Sequence, residues 1–160
     1  MRFGAALLLL LAGCDRAPSP PPSDGAKLEW AAVAAGLVQD PARASVLGVW
    51  ARDTDRLCIA PAKDRLRVGV VVDYGEGQAC SGSGTAQRDG GTLHLRFGAC
   101  RFDAVFDGER ISFPAEMPGE CAALCTGRAT LAAVAVERLS GSVSEAAMLR
   151  GSDGRSLCAD

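Results

Sequence analysis

The chain has 160 residues, a formal net charge of −2 at neutral pH and a hydrophobic fraction of 48%. This length suits one domain with a sizeable core and is too short for two domains of ordinary size. The mildly acidic balance, together with the lack of any basic run in the sequence, argues against nucleic acid as a partner. Composition therefore favours a single domain that does not bind nucleic acid.

The chain begins with Arg2, an apolar run from Phe3 to Leu11 and two small residues before Cys14. The run is shorter than the roughly 20 residues that a helix needs to cross a bilayer, and its form is typical of a secretory signal. Leu11-Ala12-Gly13-Cys14 resembles the lipobox of bacterial lipoprotein precursors. The resemblance implies cleavage before Cys14 and acyl chains such as palmitate on its thiol, and two or more chains give stable anchoring.

We expect residues 1–13 to be a signal peptide, residues 14–25 to be the lipidated Cys with a Pro-rich linker, and residues 26–160 to form a single β-rich domain. The linker has almost nothing apolar to bury and should extend by about 3 Å per residue. The lipoprotein resemblance places the domain at the cell envelope, anchored to the inner or the outer membrane and facing the periplasm.

A helix is predicted over Leu28 to Val38, where Trp30, Val33 and Leu37 form one apolar stripe. We expect this helical region to cover an open end of the β-domain. Both Trp30 and Trp50 are expected to pack in the core.

Beyond Gly48 the hydrophobic period changes to two, which is typical of strands with one buried face. A second helix is predicted near the carboxyl end, over Ser142 to Arg150, and a helical turn is predicted at Glu120–Cys125. The predicted strands are Val49–Arg52, Arg56–Ala60, Leu66–Val72, Cys80–Gln87, Leu93–Phe97, Phe102–Phe106, Ile111–Phe113 and a long final strand over Arg128–Leu139.

About eight short strands joined by tight turns favour an antiparallel meander, which must close or split into layers to hide its edges. The expected fold class is therefore mainly β: a small antiparallel barrel or curved sandwich with short N-terminal and C-terminal helices, stabilised by disulfides. Asp107-Gly108 is the strongest hairpin signal, because both residues accept the positive φ of a type I′ turn. The Gly-rich segment Cys80–Gly84 predicts a bulge or tight strand curvature rather than a phosphate loop.

Besides Cys14, an even number of cysteines remains, and export to an oxidising compartment would favour disulfides. Strand order suggests the pairs Cys58–Cys80, Cys100–Cys121 and Cys125–Cys158, one arrangement among many. The spacing of Cys121 and Cys125 falls within the range of zinc sites, but no second close Cys or His pair accompanies them, so we expect no metal. The six cysteines are Cys58, Cys80, Cys100, Cys121, Cys125 and Cys158.

The residues suited to catalysis do not form a recognised constellation. His94, the only histidine, lies on the polar face of a predicted strand, and no Gly-x-Ser-x-Gly elbow supplies a nucleophile beside it. Asp53 and Asp55 lack the further acidic positions of a calcium loop. We therefore expect no enzymatic activity and no cofactor, and a hydrolase that uses His94, Asp73 or Glu76 is the least favoured alternative.

The segment Asp73-Tyr74-Gly75-Glu76-Gly77 predicts an exposed loop. An aromatic side chain flanked by acids on a rigid scaffold suits a partner-binding surface, so Asp73, Tyr74 and Glu76 are candidate binding residues. This segment and Asp53-Thr54-Asp55-Arg56-Leu57-Cys58 resemble uncharacterised small lipoproteins of alphaproteobacteria. In architecture alone, the chain is also similar to small periplasmic inhibitor barrels.

Together these features favour a membrane-anchored periplasmic lipoprotein that is a non-enzymatic binding module, with an inhibitor-like role as one form of it. Its expected partners are the membrane, through the lipid anchor, and an envelope protein or cell-wall component. The alternative is a carrier that holds a small apolar ligand in a barrel cavity.

Overall fold

The alternating segments form a closed antiparallel barrel in a computed structural model that describes residues 23–159. Each strand pairs with the next along the chain, and the eighth strand of this part returns to the first. The mainly β prediction is confirmed, in its barrel form. The strands are β1 (Gly48–Arg52), β2 (Asp55–Ala62), β3 (Arg65–Asp73), β4 (Ala79–Asp89), β5 (Thr92–Phe97), β6 (Cys100–Phe106), β7 (Arg110–Ser112) and β8 (Ala135–Ser140).

The predicted signal peptide, the lipidated Cys14 and the linker as far as residue 22 lie outside the described residues. The statements below concern residues 23–159.

The inward-facing side chains fill the barrel, and burial alternates most clearly where the outer face of the sheet is open to solvent. In β5 and β6 every second residue is buried and the others are exposed or half-buried. Trp50 is fully buried, as predicted, and its ring meets that of Phe106 edge to face at 5.7 Å. Such an aromatic pair adds about 0.5–1.5 kcal/mol beyond its area burial.

Helix α1 (Asp24–Ala34) begins and ends earlier than predicted. The Ser23 hydroxyl accepts a hydrogen bond from the Ala26 N–H at 3.3 Å, which caps the start. Gly36, with φ of 68°, ends the helix in the left-handed conformation that suits a residue just past the last turn.

Helix α1 does not pack on the barrel, contrary to the prediction. None of its residues is buried, and Trp30 is 65% exposed. The helix ends at Ala34, so Leu37 of the predicted stripe lies beyond it, and the stripe is reduced to Trp30 and Val33. Most residues between Ala31 and Ala35 are alanines, which bury little apolar area. The prediction that Trp30 lies in the core is therefore wrong.

One end of the barrel is closed by residues 40–47, which precede β1. Ala44 is buried there, and the Arg88 guanidinium donates a hydrogen bond to its carbonyl at 2.6 Å. From the other side, the Arg138 guanidinium lies 4.2 Å from the centre of the Trp50 ring. This irregular segment performs the covering role that was predicted for the helical region as a whole.

The opposite end is closed by the long connection from β7 to β8. It contains a 3₁₀ helix (Gly119–Leu124) close to the predicted helical turn, and it buries Leu131. The predicted long strand over Arg128–Leu139 is wrong in its first part, since β8 begins only at Ala135. The preceding residues lie across the barrel end, where Leu131 fills space that a straight strand would leave open.

The carboxyl-terminal part covers the outer side of β1 to β3. Helix α2 (Val143–Met148) is capped by the Ser142 hydroxyl, which accepts from the Glu145 N–H at 3.3 Å, as the predicted C-terminal helix implied. Ala146 and Leu157 form a second, outer apolar cluster with side chains of β1 and β2.

Within the described residues the disulfides are Cys58–Cys158, Cys80–Cys125 and Cys100–Cys121. The predicted pair Cys100–Cys121 is confirmed, and the other two predicted pairs are wrong. Cys58 points out of the barrel into the outer cluster, whereas Cys80 points into the barrel core. Side chains on opposite faces of a sheet cannot be bridged, which excludes Cys58–Cys80.

The hairpin between β6 and β7 is present, but its two central residues are Gly108 and Glu109, one position later than predicted. The Asp107 N–H donates to the Arg110 carbonyl at 3.2 Å, which closes the turn. Gly108 alone has positive φ, 102°, as the first central position of a type II′ turn requires. The Asp107 side chain instead accepts from the Glu109 and Arg110 N–H groups at 3.0 and 2.7 Å.

Candidate functional site

The outer face of β4 to β6 forms one side of an open groove. The turn between β2 and β3 forms the other side, and the volume of the groove is about 930 Å³. Its polar lining side chains are Lys63, Asp64, Arg65, Thr85, Gln87, Arg88, His94, Arg96, Arg101 and Asp103.

Strand register sets these side chains in two rows across the sheet. Thr85 lies opposite Arg96, and Arg96 lies opposite Arg101. In the next row Gln87 lies opposite His94, and His94 lies opposite Asp103. Since side chains alternate between faces, each row projects outward while residues such as Leu95 point into the core.

His94 and Asp103 form a pair on the exposed face. His94 Nδ1 lies 2.7 Å from Asp103 Oδ1, with the two side chains 48% and 67% exposed. His94 is therefore on the polar face of a strand, as predicted, but its carboxylate partner was not. A carboxylate that orients an imidazole is one part of a catalytic triad, yet neither serine nor cysteine is among the groove-lining residues described.

The groove carries an excess of positive charge. Lys63, Arg65, Arg96 and Arg101 are all exposed there. Arg88 is different, because its guanidinium turns under the barrel end and lies 4.9 Å from the centre of the Phe106 ring. The local charge contrasts with the net charge of −2 of the whole chain.

The predicted binding loop lies at the other end of β3 from the groove. Tyr74 is 54% exposed, and the Asp73 carboxylate accepts from the Gly75 N–H at 2.8 Å, which shapes the turn. Glu76 is exposed and has positive φ, 53°. The three candidate residues are thus together on the surface, but they form a separate site from the groove.

The structure also places the Asp53–Asp55 turn beside this loop. The Thr54 hydroxyl donates to the Asp73 carbonyl at 2.7 Å. Partial burial, aided by the neighbouring charge of Asp53, raises the pKa of Asp55 above its ordinary value. Asp53 and Glu76, with positive φ, shape two adjoining turns. The Asp73 carboxylate is already hydrogen-bonded to the backbone of its own loop.

Across residues 23–159, no three or more His, Cys, Asp or Glu side chains are grouped so that they could hold a metal ion. A search of the helices in the same residues finds none with both the length and the apolar character of a membrane span.

The Gly-rich part of β4 includes a position where β4 and β5 approach closely. A Cβ atom built on Gly84 would lie 2.0 Å from the Arg96 carbonyl oxygen, so only glycine permits this close approach of β4 and β5. The pairing of β4 with β3 keeps one register from Ala79 to Ala86, so no bulge interrupts it.

Sequence reasoning missed Arg96 and Arg101 as a pair. The signal was present in the hairpin pattern, because a tight turn at Gly98 and Ala99 places residues equally distant from it opposite one another. Applied to the β5–β6 segment, this rule pairs Arg96 with Arg101 and His94 with Asp103.

Comparison of the chain with protein-family models, curated proteins and solved structures finds no match. Any function must therefore be argued from the site itself.

Proposed function

We propose that the protein is a membrane-anchored periplasmic lipoprotein whose barrel is a non-enzymatic binding module for an envelope protein or cell-wall component. The observation that carries the proposal is the open groove between the β2–β3 turn and the outer face of β4 to β6. The two barrel ends and the outer side of β1 to β3 are covered by other parts of the chain. The polar side chains that line the groove face solvent instead.

The rigidity of the scaffold supports a binding role. The barrel is closed, and disulfides tie the connection after β7 and the C-terminal tail to it. A surface held in one geometry loses little conformational entropy when it binds, so more of its contact energy appears as affinity. Loops and turns on such a scaffold are where binding residues commonly lie.

The packed interior favours this proposal over the carrier of a small apolar ligand. Trp50, Leu57, Ile59 and Val68 are fully closed to solvent inside the barrel. A ligand held there would have to displace side chains that already pack at the density of a protein core.

The groove chemistry favours binding over hydrolysis. The His94–Asp103 pair lies on an open, solvated face, and the lining residues described supply no serine or cysteine nucleophile for it. Water-excluded, preorganised surroundings are what give such pairs catalytic strength. A hydrolase therefore remains the least supported function.

Two measurements test the proposal. Mass spectrometry of the purified chain should find acyl chains on Cys14 and no residues 1–13, and Cys14→Ser should abolish membrane fractionation. Photo-crosslinking in cells, with the reactive residue placed at Gln87, should give one recurrent adduct with an envelope component.

The same crosslinker at Leu139, which is 65% exposed on β8 across the barrel, is the matched control and should not give that adduct. A crosslinker at Tyr74 reports separately on the acidic loop. An unmodified Cys14, or identical adduct patterns from Gln87 and Leu139, would contradict the proposal.

A further inference from the structure

Arg96 and Arg101 face each other on neighbouring strands at the centre of the groove. Residues directly opposite in an antiparallel pair have Cβ atoms about 4.5–5.5 Å apart, and like charges in such positions destabilise the sheet. Both arginines are exposed, and both project from the same face. The fold therefore keeps two repelling cations side by side.

Among the described residues no carboxylate forms an ion pair with Arg96 or Arg101, although Asp64 and Asp103 also line the groove. Asp103, the acid nearest in register, is engaged by His94 at 2.7 Å. Arg96 donates from Nε to the Gly98 carbonyl at 3.3 Å, which leaves its terminal nitrogens without a partner among the described side chains. The side chains of Arg101 and Arg65 form no ion pair and no hydrogen bond among the described residues.

Arginines elsewhere on the barrel are used differently. Arg110 of β7 binds Glu137 of β8 at 2.6 Å across the strands. Arg138 and Arg88 donate to backbone carbonyls that close the barrel end. Arg52 and Arg128 also lack a side-chain partner among the described residues, but they lie singly outside the groove, whereas Arg96 and Arg101 lie directly opposite each other within it.

We propose that the groove binds an oxyanion group of its ligand, a carboxylate or a phosphate, between Arg96 and Arg101. Lys63 on the facing β2–β3 turn and Arg65 at the start of β3 add two positive charges against the one negative charge of Asp64. The Gln87 amide can hydrogen-bond to polar groups beside the anion. This proposal rests on the proposed binding function and names the chemistry of its ligand.

Guanidinium chemistry supports this choice of ligand. Arginine presents paired N–H donors in a planar fork that matches two oxygens of a carboxylate or phosphate. An anion seated between the two side chains would replace repulsion by two charge-assisted contacts. A neutral ligand could accept hydrogen bonds from the same groups, but it would leave the repulsion between the two cations in place.

The first test is a titration of the full chain in detergent micelles, followed by amide NMR. The probes are glucuronate, glucose phosphate and glucose, which share a sugar ring and differ in charge. Saturable shifts of the Arg96 and Arg101 amides are expected with glucuronate or glucose phosphate and not with glucose. The stronger of the two anions identifies carboxylate or phosphate as the preferred group.

Variants locate the site. Arg101→Gln should weaken anion binding roughly tenfold, the effect of losing about 1.4 kcal/mol of charge-assisted contact. Arg110→Gln is the matched control, since it removes an exposed arginine of another strand, and it should leave binding unchanged. Equal shifts with glucose, or undiminished binding by Arg101→Gln, would overturn the proposal.

A charge reversal separates binding from folding. Arg101→Glu places a carboxylate opposite Arg96 and should raise Tm by about 1–3 °C through a cross-strand ion pair, while it abolishes anion binding. Retained anion binding by this folded variant would refute the proposal. If no anion binds but Gln87 still crosslinks to one envelope component, the ligand chemistry fails and the proposed function stands. If an anion binds but Cys14 carries no acyl chain, the proposed ligand chemistry stands and the proposed lipoprotein function fails.

Discussion

At the scale of single residues, the two tryptophans show how context decides what an aromatic side chain contributes. The Trp50 indole N–H donates to the Val46 carbonyl at 3.0 Å, and Arg138 stacks on its ring. Trp30 has 65% of its surface in solvent. The same residue type is thus central to the core in one place and nearly free of it in the other.

Trp50→Ala should lower the free energy of unfolding by about 3–5 kcal/mol, because it leaves a large cavity at the centre of the barrel. Trp30→Ala should change it by no more than about 0.5 kcal/mol, as for other exposed positions. Urea unfolding of both variants measures the difference. A loss for Trp30→Ala that approaches the loss for Trp50→Ala would mean that α1 packs on the domain after all.

A second effect at the scale of single residues is the pH dependence that Asp55 gives to the free energy of unfolding. Burial, and then the charge of Asp53, raise the pKa of its carboxyl, so the folded state binds this proton more tightly than the unfolded state. The stabilising effect of the protonated form is complete below the ordinary carboxyl pKa of about 3.9 and is lost as pH rises through the raised value.

Asp55→Asn removes this titration. The stability of the variant relative to the parent chain should therefore increase as pH rises from the acid range towards neutrality. Urea unfolding at a series of pH values gives the comparison, with exposed Asp64→Asn as the control. A relative stability that falls over this interval would contradict the assigned direction.

At the scale of elements, the strands with clear alternation were predictable from the sequence. Leu93–Phe97 and Phe102–Phe106 each have one buried face, and their hydrophobic period of two reflects it directly. The Ala-rich region before Ala135 has no such alternation, and small side chains fit a strand or a turn equally well. Its prediction as strand failed for that reason.

The disulfides depended on information that spacing alone does not contain. Cys100 and Cys121 could be paired because only one short strand separates them. For Cys58 the deciding fact is which face of β2 it occupies, and that follows from the register with its neighbours. In the groove, the Arg96–Arg101 pair follows from the hairpin turn between β5 and β6, but the position of the β2–β3 turn beside β4 to β6 depends on how the sheet closes, which spacing does not contain. The loop at Asp73 to Gly77 was recognisable from its turn residues.

The Cys58–Cys158 bond ties an element to the barrel and gives a third prediction. Replacing both residues by Ser should cost about 2–4 kcal/mol and loosen the tail that carries Leu157. Trypsin should then cut after Arg150 or Arg155 in the otherwise folded chain, as mass spectrometry of the fragments would report.

The double variant Cys100→Ser with Cys121→Ser is the matched control, since it also removes one disulfide but leaves the tail bonded. Its tail should stay protected from trypsin at the same protease concentration. Equal cleavage of the two double variants would show that the tail is not held by Cys158.

At the scale of the whole molecule, closure of the barrel protects the backbone of the sheet. β1 pairs with β8, so the sheet has no free edge in the described residues, and free edges are what sheet proteins must otherwise protect. The close approach at Gly84 lets β4 pair with β5 on one side while it pairs with β3 on the other.

Gly84→Ala should therefore destabilise the barrel by about 1–3 kcal/mol, the usual cost of inserting atoms into a filled site. Gly119→Ala is the matched control, because a Cβ atom there meets nothing within 4 Å, and it should stay within about 0.5 kcal/mol of the parent chain. Thermal unfolding of both variants provides the measurement, and equal Tm values for the two would be evidence against a tight contact at Gly84.

The three cross-links are nested: Cys100–Cys121 lies within Cys80–Cys125, which lies within Cys58–Cys158. During synthesis from the amino end, Cys58 emerges first and its partner emerges a hundred residues later. Joining cysteines in order of appearance would link Cys58 to Cys80 and trap a misfolded chain. Correct maturation thus requires the earliest thiol to wait, or a catalyst of disulfide exchange to release it, until the last one arrives.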